Sequence, residues 1–226
     1  PSAMYRNLVM TENKATTYGS ESQLTRPVPP GGYAWWYIDI LSPDRQLGMT
    51  VIFFIGSVFS PAYYRERQRG VGQPLAHCGV NVALYRPGRD EWVMTHYGED
   101  LVTQAPNRLS IGNNAIESKD GTVRIHLDDR TKPFPRLVSR PLKGHIDLHL
   151  PCAPRSPVAL GGEHVWQPIA PVAHAEVSLR SPNLTFSGHA YHDFNAGSRG
   201  LEDDFISWNW SRASDGDSTR IVYDVN

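Results

Sequence analysis

The sequence has little cysteine, no excess of charge of either sign and no long hydrophobic run. Its 22 Lys+Arg and 23 Asp+Glu leave a formal net charge of −1 over 226 residues. That balance excludes a basic nucleic-acid clamp and a polybasic membrane anchor, so no nucleic-acid partner is expected. The longest apolar stretch, residues 48–59 (GMTVIFFIGSVF), falls well short of the roughly 20 residues that cross a bilayer as a helix. The two cysteines, Cys78 and Cys152, lie far apart and outside any CxxC spacing. They read as free thiols in a reducing compartment. Pro1–Ser20 is polar and lacks the apolar core of a secretory signal, so a cytoplasmic location is expected. Also missing are the P-loop, GxGxxG, HExxH and GxSxG patterns, and with them the common signatures of nucleotide, zinc and serine-hydrolase chemistry. No metal and no organic cofactor is expected.

What is present suits a β protein. Hydrophobic residues make up 40% of the chain and aromatics 10%, enough for a packed core. Glycine and proline, 19 and 18 residues, together make about one residue in six, above the usual one in eight. Short elements joined by tight turns follow from that. Thr122–Asp128 (TVRIHLD) and Gly144–Leu150 (GHIDLHL) alternate with period 2, the mark of half-buried strands. Further strands are read at 33–40, 49–59, 77–85, 91–97, 172–179, 183–190, 206–212 and 220–225. One short helix is expected, with Ser60 as cap, Pro61 at its first position and Gly70 at its end. The fold class is therefore all-β, an antiparallel barrel-like architecture with few short helices. Residues 1–25 read as a polar lead-in. Pro151–Glu163 (PCAPRSPVALGGE) reads as a linker between a first β unit, 26–150, and a second, 164–226.

Three groups of residues carry possible chemistry. His145, Asp147 and His149 share one strand face, an arrangement open to a metal but ordinary for the wet side of a sheet. In the second, His189, Tyr191 and Asp193 share one face and His192 takes the other. The six tryptophans form the third group: Trp35 and Trp36 are adjacent, Trp92 and Trp166 stand alone, and Trp208 and Trp210 share a face. They suit either a core or an aromatic pocket for an extended apolar ligand. Polar groups in such a pocket, such as His164, Tyr191 and Asp193, are costly unless used.

The runs PPGGYAWWYIDILS (29–42), FIGSVFSPAYY (54–64), HCGVNVALY (77–85), HVWQPIAP (164–171), YHDFNAG (191–197) and LEDDFISWNWSRA (201–213) resemble the carotenoid 1,2-hydratases, also called hydroxyneurosporene synthases. The resemblance spans roughly residues 27–225 in consistent order. It implies a lipocalin-like β architecture, shared with a superfamily that includes terpene cyclases. It also implies a cofactor-free addition of water to the terminal C1–C2 double bond of an acyclic carotenoid. The family's H-x-W motif matches His164 and Trp166, and its Y-x-D motif matches Tyr191 and Asp193, with Asn195 following on the same strand face. Trp35, Trp36, Phe59, Tyr63, Asn195, Trp208 and Trp210 are the expected substrate-binding residues. Gly200 stands where the family pattern has proline, and family members continue with further strands beyond the position of Asn226. The second β unit is accordingly expected to be incomplete.

Hydrating an unactivated alkene needs a strong proton donor and a stabilised tertiary carbocation. Asp193 is the expected acid, with its pKa raised by burial among aromatics. Tyr191 and His164 would hold its protonation state, Trp166 would face the cation, and Asn195 would help place the water. Asp193 as carboxylate would then recover a proton from that water. The expected partners are an apolar polyene or terpene and water, with peripheral contact to a membrane. A terpene cyclase or isomerase using the same acid, and a non-catalytic carrier of apolar ligands, are the competing readings.

Overall fold

The computed structural model describes residues 6–10, 23–131, 138–151, 154–214 and 218–226. Its strands are β1 (Arg6–Met10), β2 (Tyr33–Leu41), β3 (Gly48–Ile55), β4 (Cys78–Tyr85), β5 (Glu91–Tyr97), β6 (Val102–Ala105), β7 (Arg108–Ile111) and β8 (Asn114–Lys119). They continue with β9 (Thr122–Arg130), β10 (Pro141–His149), β11 (Val158–Gly161), β12 (His164–Ser181), β13 (Asn183–Gly197), β14 (Trp208–Ser214) and β15 (Thr219–Val225). Of the described residues, 60% are in strands, which establishes the all-β class.

One large antiparallel sheet runs in the order β5-β4-β3-β2-β13-β12-β10-β9-β8-β7-β6, with β11 on β12. It curls into a nearly closed barrel. A small sheet, β1-β15-β14, packs outside it. The strands expected at 172–179 and 183–190 are parts of one long hairpin of 18 and 15 residues. The alternation in β12 is broken near Pro168 and Pro171, where its register against β13 shifts, which hides the strand's first half from a period-2 reading. Strands on both sides of 151–163 belong to the same sheet, because the second half of β13 pairs with the whole of β2. β11 lies inside the segment expected as a linker, and β1 lies inside the expected lead-in.

The barrel interior is built by period-2 alternation. In β2, Ala34, Trp36, Ile38 and Ile40 point inward and are fully buried. Val51, Phe53, Ile55, Val80, Val82 and Phe194 join them from β3, β4 and β13. The lumen is thus an apolar core. Trp36, expected as a substrate binder, belongs to it, packed 5.1 Å from Phe194. Its neighbour Trp35 takes the outer face, as adjacent strand residues must.

Where the barrel's ends meet, Asp129 of β9 accepts from Thr95 Oγ1 (2.8 Å) and Tyr97 Oη (2.9 Å) of β5, and from Asn114 Nδ2 (3.2 Å) of β8. Asp129→Ala would leave the half-buried Thr95 and Tyr97 hydroxyls without this acceptor. It is expected to cost about 3 kcal/mol of stability, read as a lower midpoint in urea denaturation.

Helix α1 (Pro61–Gln68) starts as expected, with Ser60 Oγ accepting from the Tyr63 amide at 3.2 Å. Tyr63, expected as a substrate binder, packs into the interior from this helix. It is fully buried, donates from its hydroxyl to the Gly32 carbonyl (2.5 Å) and lies under the Arg67 guanidinium. Cys78 is a buried free thiol, and Cys152 falls outside the described residues. Among the described residues, no helix is long and apolar enough to cross a membrane.

Candidate active site

The outer face of β2, β12 and β13, roofed by the small sheet, carries a second and different cluster. Antiparallel pairing sets Tyr37 beside Asp193, Trp35 beside Asn195 and Asp39 beside Tyr191, and it sets Trp166 of β12 on the far side of Asn195. From the small sheet, Trp208 and Trp210 of β14 and Tyr223 of β15 close over this row. They enclose a cavity of about 80 Å³ lined by Trp35, Tyr37, Asp193, Asn195, Trp208, Trp210 and Tyr223.

Asp193 sits at its base, 3% exposed. Its Oδ2 accepts from Trp166 Nε1 (2.8 Å) and from the Tyr191 hydroxyl (2.7 Å). Its Oδ1 accepts from Asn195 Nδ2 (3.1 Å), and Asn195 Oδ1 accepts from the Tyr223 hydroxyl (3.1 Å). Both lone-pair directions of Oδ2 are therefore occupied, and a carboxyl proton belongs on Oδ1. Burial pushes the Asp193 pKa up to about 7; the Tyr191 and Trp166 donors pull it down, and the charge of Asp39 adds to the rise. Burial also raises the phenol pKa values of Tyr37, Tyr191 and Tyr223, with the Asp193 charge adding to each. These tyrosines remain protonated donors at neutral pH.

Aromatic rings surround the carboxyl. Trp210 lies 5.5 Å from Tyr37 and 5.4 Å from Tyr191, and Tyr223 lies 5.6 Å from Trp166 and 6.1 Å from Trp208. The Arg212 guanidinium stacks over Tyr191 at 5.3 Å and pairs with Asp39.

The expected convergence of four side chains holds for Tyr191, Trp166 and Asp193. His164 is on the same strand face as Trp166 but does not reach Asp193. Its Nδ1 meets the Tyr33 hydroxyl (2.8 Å) and its Nε2 meets Asp204 (2.8 Å), which Arg199 grips through both carboxylate oxygens. Its link to the cavity runs through Tyr33, stacked 4.9 Å from Trp35. Of the expected substrate binders, Trp35, Asn195, Trp208 and Trp210 line the cavity. Phe59 lines a neighbouring cleft of about 290 Å³ with Val58, Leu201, Phe205 and Ile206, and Trp208 belongs to both.

Tyr37, Asp39, Arg212 and Tyr223 were not among the expected site residues. Tyr37 and Asp39 follow Trp35 at steps of two on β2, so the strand period carried their signal. Tyr223 carried none, because its strand reaches the site only through the packing of the small sheet. His145, Asp147 and His149 lie away from this face, Asp147 being held by Arg124 at 2.6 and 2.7 Å. Among the described residues no group of three or more His, Cys, Asp or Glu side chains is disposed to hold a metal ion.

The family model described as carotenoid hydratase CrtC matches residues 51–226. An acyclic carotenoid 1,2-hydratase of Thiocapsa roseopersicina is 42% identical over 201 residues, covering 88% of this chain and 48% of the relative. One of Rubrivivax gelatinosus is 38% identical, covering 88% and 50%. The chain spans about half the length of these curated relatives. Among solved structures, a putative AttH from Nitrosomonas europaea aligns with a TM-score of 0.52 at 16% identity, over 86% of this chain and 60% of that one. CghA with Sch210972 aligns with a TM-score of 0.54 at 13% identity, over 82% and 50%. These structural likenesses establish a lipocalin-like fold.

Proposed function

The chain belongs to the carotenoid hydratase CrtC family, and from that premise we propose that it adds water across the terminal C1–C2 double bond of an acyclic carotenoid, with Asp193 as the acid. The observation that carries this reading is a carboxyl buried among aromatics whose pKa lies near neutrality. An ordinary aspartic acid is only about 0.1% protonated at pH 7, whereas one with a pKa near 7 is about half protonated. The Asp193 Oδ1 proton is delivered to C2, the π pair forms the new C–H bond, and C1 becomes a tertiary cation. The cavity-lining rings of Tyr37, Trp210 and Tyr223 would offer π faces to that charge, a contact worth about 2 kcal/mol when desolvated. Water then closes the C1–O bond.

The cavity suits the end of a polyene rather than its length, since pockets that hold whole drug-sized ligands run to about 300–1,000 Å³. The remaining chain would leave past Trp208 into the cleft of Val58, Phe59, Leu201, Phe205 and Ile206. Incubating the purified protein with lycopene or neurosporene in detergent, without added cofactor, should yield a product heavier by one water. A cyclic or isomerised product of unchanged mass would transfer the same acid to cyclase or isomerase chemistry.

A further inference from the structure

Hydration needs an acceptor for a proton as well as a donor, and Asp193 is poorly placed for both tasks. Its Oδ2 is saturated by Trp166 and Tyr191, and Oδ1, already holding Asn195, has one direction left. That direction faces C2 if the proton leaves from it, whereas the water attacks C1. The site holds a second carboxylate. Asp39 lies two residues beyond Tyr37 on the same strand face and is paired with Arg212, and its charge adds to the burial that raises the Tyr37 pKa. Tyr37 itself lines the cavity directly across the strand pair from Asp193. A Tyr37 hydroxyl turned toward Asp39 presents its oxygen to the cavity as an acceptor. The cavity-lining Trp210, in edge contact with Tyr37, carries a buried indole N–H that has no acceptor among the described residues. Buried donors ordinarily have a partner, and a water oxygen at this spot would supply one.

We propose that Tyr37 and Asp39 form the proton-accepting half of the site, with the attacking water held between the Tyr37 oxygen and the Trp210 indole N–H. The proposal rests on the hydratase reading above. As the water lone pair forms the C1–O bond, one water proton passes to the Tyr37 oxygen while the Tyr37 hydroxyl proton passes to Asp39. Tyr37 is never left as tyrosinate, in keeping with its raised pKa. The turnover ends with Asp193 as carboxylate and Asp39 as carboxylic acid, and exchange of one proton with solvent restores both. Tyr37 touches the reacting water and is catalytic. Asp39 acts through Tyr37; burial raises its pKa and the paired Arg212 guanidinium opposes that rise.

The test is the reaction in D2O, scoring two products by mass spectrometry: the deuterated alcohol, and deuterium in recovered alkene, which reports protonation followed by reversal. In Tyr37→Phe, alcohol formation should fall about 10²-fold, the usual scale for loss of a general base. The ratio of alkene exchange to alcohol should rise at the same time, because the cation still forms but is not trapped. Asp39→Asn should show the same change in ratio. A purely structural role would lower exchange and alcohol together. Parallel loss of both, or a Tyr37→Phe variant hydrating within twofold of wild type, overturns the relay and returns the acceptor role to Asp193. Wild-type protein that yields neither alcohol nor exchange overturns the hydratase reading and the relay with it.

Discussion

Asp193→Asn is expected to abolish hydration while leaving the fold intact. The amide keeps the carboxyl's shape and can still accept from Trp166 and Tyr191 through its oxygen. Its NH2 then faces Asn195, which can turn its own oxygen inward while the Tyr223 hydroxyl rotates to accept. The network reverses direction without losing a bond. What disappears is the dissociable proton, so turnover should drop by at least about 10³-fold with substrate binding nearly unchanged. In the wild type, kcat/KM should fall about tenfold per pH unit above pH 7, because the reactive form is the protonated one.

The same substitution carries a stability signature of defined sign. The folded-state pKa of Asp193, about 7, lies above its ordinary value of 3.8. The folded state therefore binds more protons than the unfolded state between those values. Stability is complete below about pH 4 and is lost as pH rises through about 7. A shift of about three units corresponds to roughly 4 kcal/mol. The asparagine variant has no such loss. It should match wild type near pH 4, exceed it increasingly up to pH 7 and hold a constant advantage above that. Urea denaturation across this range measures the effect. An inactive variant that is more stable at pH 8 than the active protein is the expected trade of stability for a buried acid. Equal stability at both ends would show that Asp193 is solvated rather than buried.

Trp36→Ala is expected to have the largest effect on folding, and Trp35→Ala a different effect altogether. Trp36 is fully buried in the barrel core against Phe194. Removing its side chain should cost about 3–5 kcal/mol, on the scale of other large-to-small core changes. Trp35 lines the cavity, so its truncation should weaken substrate binding and turnover with a smaller loss of stability. Denaturation midpoints and KM measured on the two variants separate these outcomes. Comparable KM changes in both would place Trp36 on the site face.

That pair of neighbours shows where the sequence was legible. Strand periodicity sends Trp35 and Trp36 to opposite faces, but it does not say which face is core and which is site. Only the curl of the large sheet decides that, by enclosing Ala34, Trp36, Ile38 and Ile40 and turning Trp35, Tyr37 and Asp39 outward. The all-β class, the helix that begins at Pro61 and the shared strand face of Tyr191 and Asp193 were readable because each depends on local pattern: alternation and capping. The placement of His164 was not, since the strand period puts it in line with Trp166 while Tyr33 and Asp204 fix its ring elsewhere. Tyr223 was out of reach for the same reason. It lies 30 positions from Asp193 in the chain and meets Asn195 only because the small sheet packs against the barrel wall. The sequence by itself determined the chemical groups and the strand faces that carry them. The tertiary structure decided which faces meet, because burial of the apolar lumen and of the aromatic roof is a property of packed sheets rather than of any one strand.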